Sequence, residues 1–343
     1  MRKLDDLWYG GSPWRLPLLP LAGLYCAVIG ARRLLYRRGV LRTQRLPVPV
    51  IVVGNLSVGG TGKTPLIVWL AAFLRAQGYH PGLIARGYRG RARHWPQPVD
   101  ADSDPRTVGD EPVLLARLTG CPMAVAPDRV AAGRAVLEQA DCDVILSDDG
   151  LQHYALGRDI EIAVIDGVRR FGNRHCLPAG PLREPMQRLA EVDLVVSNGL
   201  AGEGESAMQV RVEAAVNLIT GERRPLEGFR GARVWAIAGI GRPERFFEAL
   251  RGQGLEIEAR AFPDHHAYRR ADLAFAEGPL LMTEKDAVKC RGLARAQDWA
   301  VTTRVDLDAG FGARLLGLLR ARAGSPGRGS GTIAANTRED SHG

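Results

Sequence analysis

The chain has 343 residues, 45% of them apolar and 24% charged, a composition that excludes an intrinsically disordered chain and allows a full α/β core with more than one unit. The formal net charge of +8 and a pI near 9.6 point to acidic partners such as anionic lipid, phosphate or nucleic acid. Cys26, Cys121, Cys142, Cys176 and Cys290 are scattered and form no C-x-x-C pair, which argues against a disulfide framework or a thiolate zinc site and fits a reducing compartment.

Residues 16–31 (LPLLPLAGLYCAVIGA) carry no charge over sixteen positions. A spanning helix needs about 20 apolar residues. Pro17 and Pro20 lie inside the run, and no small-residue cleavage site follows it. Trp8, Tyr9 and Trp14 precede it, and Arg32, Arg33, Arg37, Arg38, Arg42 and Arg45 follow it without an intervening acid. Rings before and cations after suit a helix lying in one leaflet with its basic flank on anionic headgroups. The same run also fits a buried core helix with a solvated basic end.

From Pro47 short apolar runs alternate with amphipathic stretches. Residues 48–53 read as a buried strand, and 64–77 as a helix with Leu66, Ile67, Leu70, Phe73 and Leu74 on one face, stopped by Gly78. Strand-like runs recur at 82–85, 123–126, 143–147, 160–165 and 192–197. This alternation predicts a mostly parallel sheet with helices on both faces, and the glycine-rich turn at residues 57–64, described below, makes that sheet P-loop NTPase-type. A second, smaller α/β unit is expected to follow the Gly-rich NGLAGEGES segment, with strands at 234–238, 257–262, 280–283 and 299–302 and a helix at 243–250. The expected organisation is a membrane-associated helix and basic flank (1–45), an α/β core (46–204), the second unit (205–305), a C-terminal helix (306–322) and a disordered tail (323–343).

The strongest chemical signal is VIVVGNLSVGGTGKTP, residues 50–65. A strand ends, a glycine-rich turn follows, and Gly62-Lys63-Thr64 opens a helix. Ser57, Val58, Gly59, Gly60, Thr61, Gly62, Lys63 and Thr64 form the expected ATP cradle, in which amides and the helix N-terminus face phosphate. Lys63 reaches the β- and γ-phosphates there, and the Thr64 hydroxyl is placed for Mg²⁺. Ser57 stands where the strict pattern has its first glycine. The run 143–147 ends in Asp148-Asp149-Gly150, a Walker B-like strand end. Adjacent strand residues face opposite ways, so one carboxylate suits magnesium and the other a neighbouring loop or second metal position. A solvated exit from the strand is the plainer alternative.

A kinase also needs a group to take the proton of the acceptor hydroxyl. Asp110 in GDEP and His265 in FPDHH are candidates, although Asp110 also looks like a helix N-cap and His265 like a surface turn residue.

GNLSVGGTGKTP, ARGYRG, VGDEP, DRVAAGR, SDDGLQH, RRFGN with LPAGPLREP, AIAGIGRPERF, FPDHHAY and MTEKDAVK occur in this order. Together they resemble the tetraacyldisaccharide 4′-kinase (lipid A 4′-kinase) family over roughly residues 5 to 305. Ser57 is shared with that family, whereas Arg174 stands where the family has glycine after Phe-Gly-Asn. The resemblance implies ATP- and Mg²⁺-dependent phosphorylation of the 4′-hydroxyl of tetraacyldisaccharide 1-phosphate to give lipid IV-A. It further implies residence at the cytoplasmic face of the bacterial inner membrane, as a peripheral protein or through a single N-terminal anchor. By motif, Asp110 matches the base and His265 its partner, while Asp148 and Asp149 match the metal-related pair. Glu111, Gln152 and His153 match supporting positions, and Arg86, Tyr88, Arg129 and Asn173 are expected substrate or phosphate contacts. The expected partners are the lipid A disaccharide substrate and a membrane surface with anionic lipids, with no nucleic acid and no obligate protein partner. A membrane-recruited P-loop ATPase switch shares the cradle and the helix, but predicts nucleotide-dependent dimerisation and no phosphorylated small product. A soluble small-molecule kinase predicts activity without lipid or detergent.

Overall fold

The computed structural model describes residues 2–323; the tail expected to be disordered lies outside them, apart from residue 323. All thirteen strands among the described residues belong to one sheet: β1 (Val50–Gly54), β2 (Pro81–Ala85), β3 (Gln97–Pro98), β4 (Met123–Val125), β5 (Val144–Asp148), β6 (Ile160–Asp166), β7 (Leu194–Asn198), β8 (Ser206–Asn217), β9 (Arg223–Pro225), β10 (Val234–Ala238), β11 (Ile257–Ala261), β12 (Leu280–Thr283) and β13 (Asp298–Leu307). Their order is β11-β10-β12-β13-β8-β7-β6-β1-β5-β2-β4-β3, with β9 paired to β8. β1 pairs in parallel with both β5 and β6, and its VIVVG sequence is buried at every position, as apolar strands of a sheet covered on both faces must be.

Helices α1 (Arg2–Tyr9) and α2 (Leu19–Arg37) precede the sheet. In the first half, α3 (Lys63–Ala76), the one-turn α4 (Pro105–Val108) and α5 (Asp110–Thr119) connect strands on one side, and α6 (Arg129–Gln139) crosses the other. The second half repeats the arrangement with α7 (Pro243–Gly252) on one face and α8 (Arg270–Leu273) with α9 (Glu284–Cys290) on the other. Helix α10 (Ala309–Ala323) returns to the first half, where Phe311, Leu315 and Leu319 enter the core beside Leu66 and Leu70. Each such side chain contributes roughly 1.5–3 kcal/mol by leaving water.

The expected strands are present, most within one or two residues of their expected ends. The last, expected at 299–302, continues to Leu307 because it pairs antiparallel with β8 along its length, with a register shift at Thr302/Thr303. β8 itself escaped the sequence reading. It alternates buried and exposed positions from Ser206 to Val210, pairs in parallel with β7, and thereby joins both halves in one sheet.

Pro13–Arg37 is a helical segment of 25 residues long and apolar enough to cross a membrane by length and composition, and only 6% of its most apolar window is buried. A core helix is therefore excluded, since Ala22 is the only buried residue of α2. Tyr25 donates to the Arg183 carbonyl at 3.1 Å and Arg33 pairs with Glu191, so one face docks on the protein. Leu21, Leu24 and Val28 remain 53%, 64% and 61% exposed. The expected aromatic belt needs correction. Trp14 is exposed, but Trp8 donates to the Pro178 carbonyl at 3.1 Å and the Tyr9 ring lies under the Arg169 guanidinium, so these two rings anchor α1 to the fold.

Candidate active site

The cradle forms at the carboxyl end of β1, where the chain turns into α3. Gly62 is the N-cap of α3 at φ 101°, and a Cβ there would meet the Asn198 amide nitrogen at 2.6 Å, so glycine is required on both counts. No side chain caps this helix, which leaves its first amides to face an anion. Asn55, absent from the sequence-derived set, organises the turn. It is fully buried, donates to the Ser57 and Gly59 carbonyls at 2.7 and 3.2 Å, and accepts from Lys63 Nζ at 3.2 Å. From outside, Val58 N–H donates to the Pro181 carbonyl at 2.8 Å and Asn198 to the Thr61 carbonyl at 3.2 Å. Thr64 occupies the first turn of α3 directly after Lys63.

The paired acids at the end of β5 have opposite environments. Asp149, at φ 48°, turns toward Lys63 at 3.4 Å and Arg183 at 2.9 Å. Burial pushes its carboxyl upward, but Lys63 and Arg183 outweigh that and hold it at about 2. Asp148 is 6% exposed, and its Oδ1 has no hydrogen-bond partner among the described residues. Burial, with the nearby charge of Glu111, raises its pKa against the pull of Lys63. An orphaned, desolvated carboxylate oxygen beside a phosphate cradle fits a divalent cation. No cluster of three or more His, Cys, Asp or Glu among the described residues would hold a metal unaided, so nucleotide phosphates would complete its shell.

A second cluster joins the two halves. Gly109 adopts φ 98° before α5, and a Cβ there would meet the Tyr88 carbonyl oxygen at 2.8 Å. Gly109 is thus the N-cap, and Asp110 is the first helical residue, its Oδ1 accepting from the Glu111 amide at 3.0 Å. Asp110 is 8% exposed and lies 2.9 Å (Oδ2) and 3.2 Å (Oδ1) from His265 Nδ1. His265 is held at φ 61°, a left-handed conformation costly for a histidine and often found at functional turns. Lys285 on α9 completes the cluster, with Nζ 3.0 Å from Glu111 Oε1 and 3.3 Å from Asp264 Oδ1. Burial works against the Lys285 charge, but Glu111, Asp110 and Asp264 together raise its pKa. For Asp110, burial raises the carboxyl, yet the His265 hydrogen bond and the Lys285 charge prevail and set it at about 2.

The remaining candidates divide. Arg129 is 3% exposed and close enough to Asp148 and Asp149 to interact with both; burial lowers its guanidinium to about 10. Gln152 bridges the Asn55 carbonyl (3.2 Å) and Glu184 (2.8 Å), behind the cradle. The His153 ring accepts weakly from the Arg129 amide at 3.4 Å, and burial lowers it to about 4, so it is neutral. Tyr88, 57% exposed, meets the His265 ring edge-on at 6.0 Å, and Arg86 is exposed beside it. Asn173 stands apart from this group: its amide donates to the Leu7 and Ala179 carbonyls at 3.3 and 2.8 Å, clasping α1. The neighbouring Arg174 has φ 65°, a region natural to glycine.

Residues that sequence reasoning passed over are Asn55, Arg183, Lys285 and the Asp166 cluster. Asp166, 4% exposed at the end of β6, binds Arg242 and lies 3.2 Å from Arg245, both brought by α7 and its N-cap; Arg242 also reaches the Gly60 carbonyl at 3.4 Å. Arg183, Lys285 and Arg242 lie inside the motifs LPAGPLREP, MTEKDAVK and AIAGIGRPERF, so the signal was present, but their partners were not.

The family model described as tetraacyldisaccharide-1-P 4′-kinase matches residues 14–320. The tetraacyldisaccharide 4′-kinase of Nitrosococcus oceani is 57% identical over 92% of this chain and 94% of its own length. That of Alkalilimnicola ehrlichii is 54% identical over 87% and 91%. The crystal structure of the "apo" form of LpxK from Aquifex aeolicus in complex with ATP superposes with a TM-score of 0.77 at 30% identity, covering 89% of this chain and 99% of that one. With a match spanning the cradle, the two-halved sheet and the Asp110–His265 cluster, the chain belongs to the tetraacyldisaccharide 4′-kinase family.

Proposed function

We propose that the chain transfers the γ-phosphoryl group of ATP to the 4′-hydroxyl of a tetraacyldisaccharide 1-phosphate, giving lipid IV-A. The observation that carries the reading is the 2.9 Å contact between Asp110 and His265, made across the two halves. Glu111, next to Asp110, and Lys63 of the cradle both act electrostatically on Asp148, which supports reading acceptor chemistry and phosphate binding as one site. A phosphate-binding switch has no need for such a pair.

Lys63 holds the β- and γ-phosphates with the amides of residues 57–64 and neutralises charge as the γ-phosphoryl group loosens from ADP. The acceptor oxygen forms its bond to phosphorus while the bridge to ADP breaks, and the hydroxyl proton passes to an Asp110 carboxylate oxygen. A carboxylate held at about 2 is a weak base, which suffices when the proton leaves late in a loose transition state. His265 fixes the orientation of that carboxylate, and Lys285 keeps it charged. Asp148, with Asp149 and the Thr64 hydroxyl, would hold Mg²⁺ against the phosphates. When bound, that ion supplies charge stabilisation of the transferring group. Arg86, Tyr88, Glu111 and Arg129 line the acceptor and phosphate side, while Gln152 and His153 support the cradle.

A substrate with four acyl chains stays in the bilayer, so the exposed apolar face of α2 and the basic flank suit a peripheral protein, or one with a single N-terminal anchor, at the cytoplasmic face of the inner membrane among anionic lipids. The test incubates the purified protein with radiolabelled ATP, Mg²⁺ and tetraacyldisaccharide 1-phosphate in detergent, followed by thin-layer chromatography. A labelled lipid that disappears with Lys63→Ala supports the reading; ATP hydrolysis without a labelled lipid refutes it.

A further inference from the structure

Residues 86–93 (RGYRGRAR) carry Arg86, Arg89, Arg91 and Arg93, all exposed, and none lies within ion-pair distance of a carboxylate among the described residues. This contrasts with Arg169, Arg170, Arg183 and Arg188, each of which faces an acid of the fold. Four exposed guanidiniums without an acid partner among the described residues leave their donors available to an anion. The loop is not loose. Arg91 N–H donates to the Arg106 carbonyl at 3.0 Å and Ala92 N–H to the Thr107 carbonyl at 3.1 Å, which pins it along the segment that runs into Gly109 and Asp110. The edge-on contact of Tyr88 with His265 places the same loop at the rim of the acceptor site. Arg89 is kept at φ 62°, where L residues are rare, with its guanidinium over the Tyr88 ring at 5.7 Å.

We propose that Arg89, Arg91 and Arg93 bind the phosphate that the disaccharide acceptor carries on its other sugar, so that this loop reads the charge of the substrate. The proposal rests on the kinase reading above. A phosphomonoester presents the oxygens that guanidinium forks pair with best. The basic flank of α2 follows an exposed apolar helix and suits bilayer headgroups, whereas this loop adjoins the Asp110–His265 pair and so faces the acceptor.

The experiment compares the wild type with the triple variant Arg89→Gly, Arg91→Gln, Arg93→Gln in neutral detergent micelles, on two acceptors: tetraacyldisaccharide 1-phosphate and the same glycolipid lacking its 1-phosphate. In the wild type the KM for the phosphorylated acceptor is expected to be lower by about tenfold or more, the effect of one or more charge-assisted hydrogen bonds. The triple variant should erase that difference by raising this KM, with kcat, the KM for ATP and the KM for the dephosphorylated acceptor unchanged. Arg89→Gly relieves the positive-φ strain, and Arg93→Glu alone gives an independent reading in which only the phosphorylated acceptor is weakened. Equal losses on both acceptors, or a loss seen only when anionic vesicles replace micelles, overturn the proposal. A wild type that phosphorylates both acceptors with one KM refutes the phosphate site alone; one that phosphorylates neither refutes the kinase reading.

Discussion

Replacing Lys285 by methionine removes the ammonium that Glu111 and Asp264 share and that helps keep Asp110 ionised. The side chains of Glu111 and Asp264 are 39% and 35% exposed, so water already screens them, and each pair is worth about 1 kcal/mol or less. Asp110 is nearly buried, and a carboxyl held near 2 instead of 3.8 represents about 2–3 kcal/mol in favour of its charged form. Because the folded pKa is depressed, this stability is present above pH 4 and lost as pH falls toward 2. Without Lys285 the opposing effect of burial gains, and the pKa rises. The expected result is a loss of about 1–3 kcal/mol in urea unfolding at pH 7. The acid limb of kcat/KM should also move up by about one to two pH units, with kcat at pH 8 reduced because the carboxylate is less well held. The assay is lipid phosphorylation across pH 4–9 with parallel denaturation curves. An unfolding midpoint and acid limb both identical to the wild type would refute the assigned role of Lys285.

Asp148→Asn removes a buried charge that has an unpartnered oxygen, so it should leave stability unchanged or raise it by about 1 kcal/mol while suppressing Mg²⁺-dependent turnover by orders of magnitude; a destabilised but active variant would contradict this. Asp166→Asn leaves Arg242 and Arg245 without their shared acid and should cost about 2 kcal/mol in chemical denaturation, with a raised KM for ATP through the Gly60 contact; unchanged values for both would show that the cluster is dispensable. Leu21→Glu, Leu24→Glu and Val28→Glu together alter only exposed positions of α2, so the thermal midpoint should hold while sedimentation with anionic vesicles is lost. Retained vesicle binding would shift membrane attachment to another surface.

The parallel sheet and the cradle were legible because both are local. Val50–Gly54 runs apolar without a break, Leu66, Leu70 and Leu74 repeat at helical spacing, and the glycines between them allow the positive φ that the turn takes at Gly59 and Gly62. β8 was missed because its outward positions carry Gln209, Arg211 and Glu213 after a glycine-rich stretch, and only pairing with β7 and β13 gives that strand a place. All three N-terminal rings were assigned to the membrane, yet hydrogen-bond and cation partners on residues 169–178 bring Trp8 and Tyr9 onto the fold.

The amino-acid order by itself determined that a glycine-rich turn ends in Lys63-Thr64, that a strand ends in the paired acids Asp148-Asp149, and that an apolar helix with a basic flank comes first. Family resemblance, rather than spacing, suggested that Asp110 and His265 act together. Only the tertiary structure decided that these residues, 155 apart in sequence, touch, that Lys285 neutralises their surroundings, and that Asp148 and Asp149 are shifted in opposite directions by their surroundings. The reason is physical: local periodicity encodes strands and helices, but the charge state of a buried carboxylate depends on which distant cations the packing of two half-sheets brings within a few ångströms.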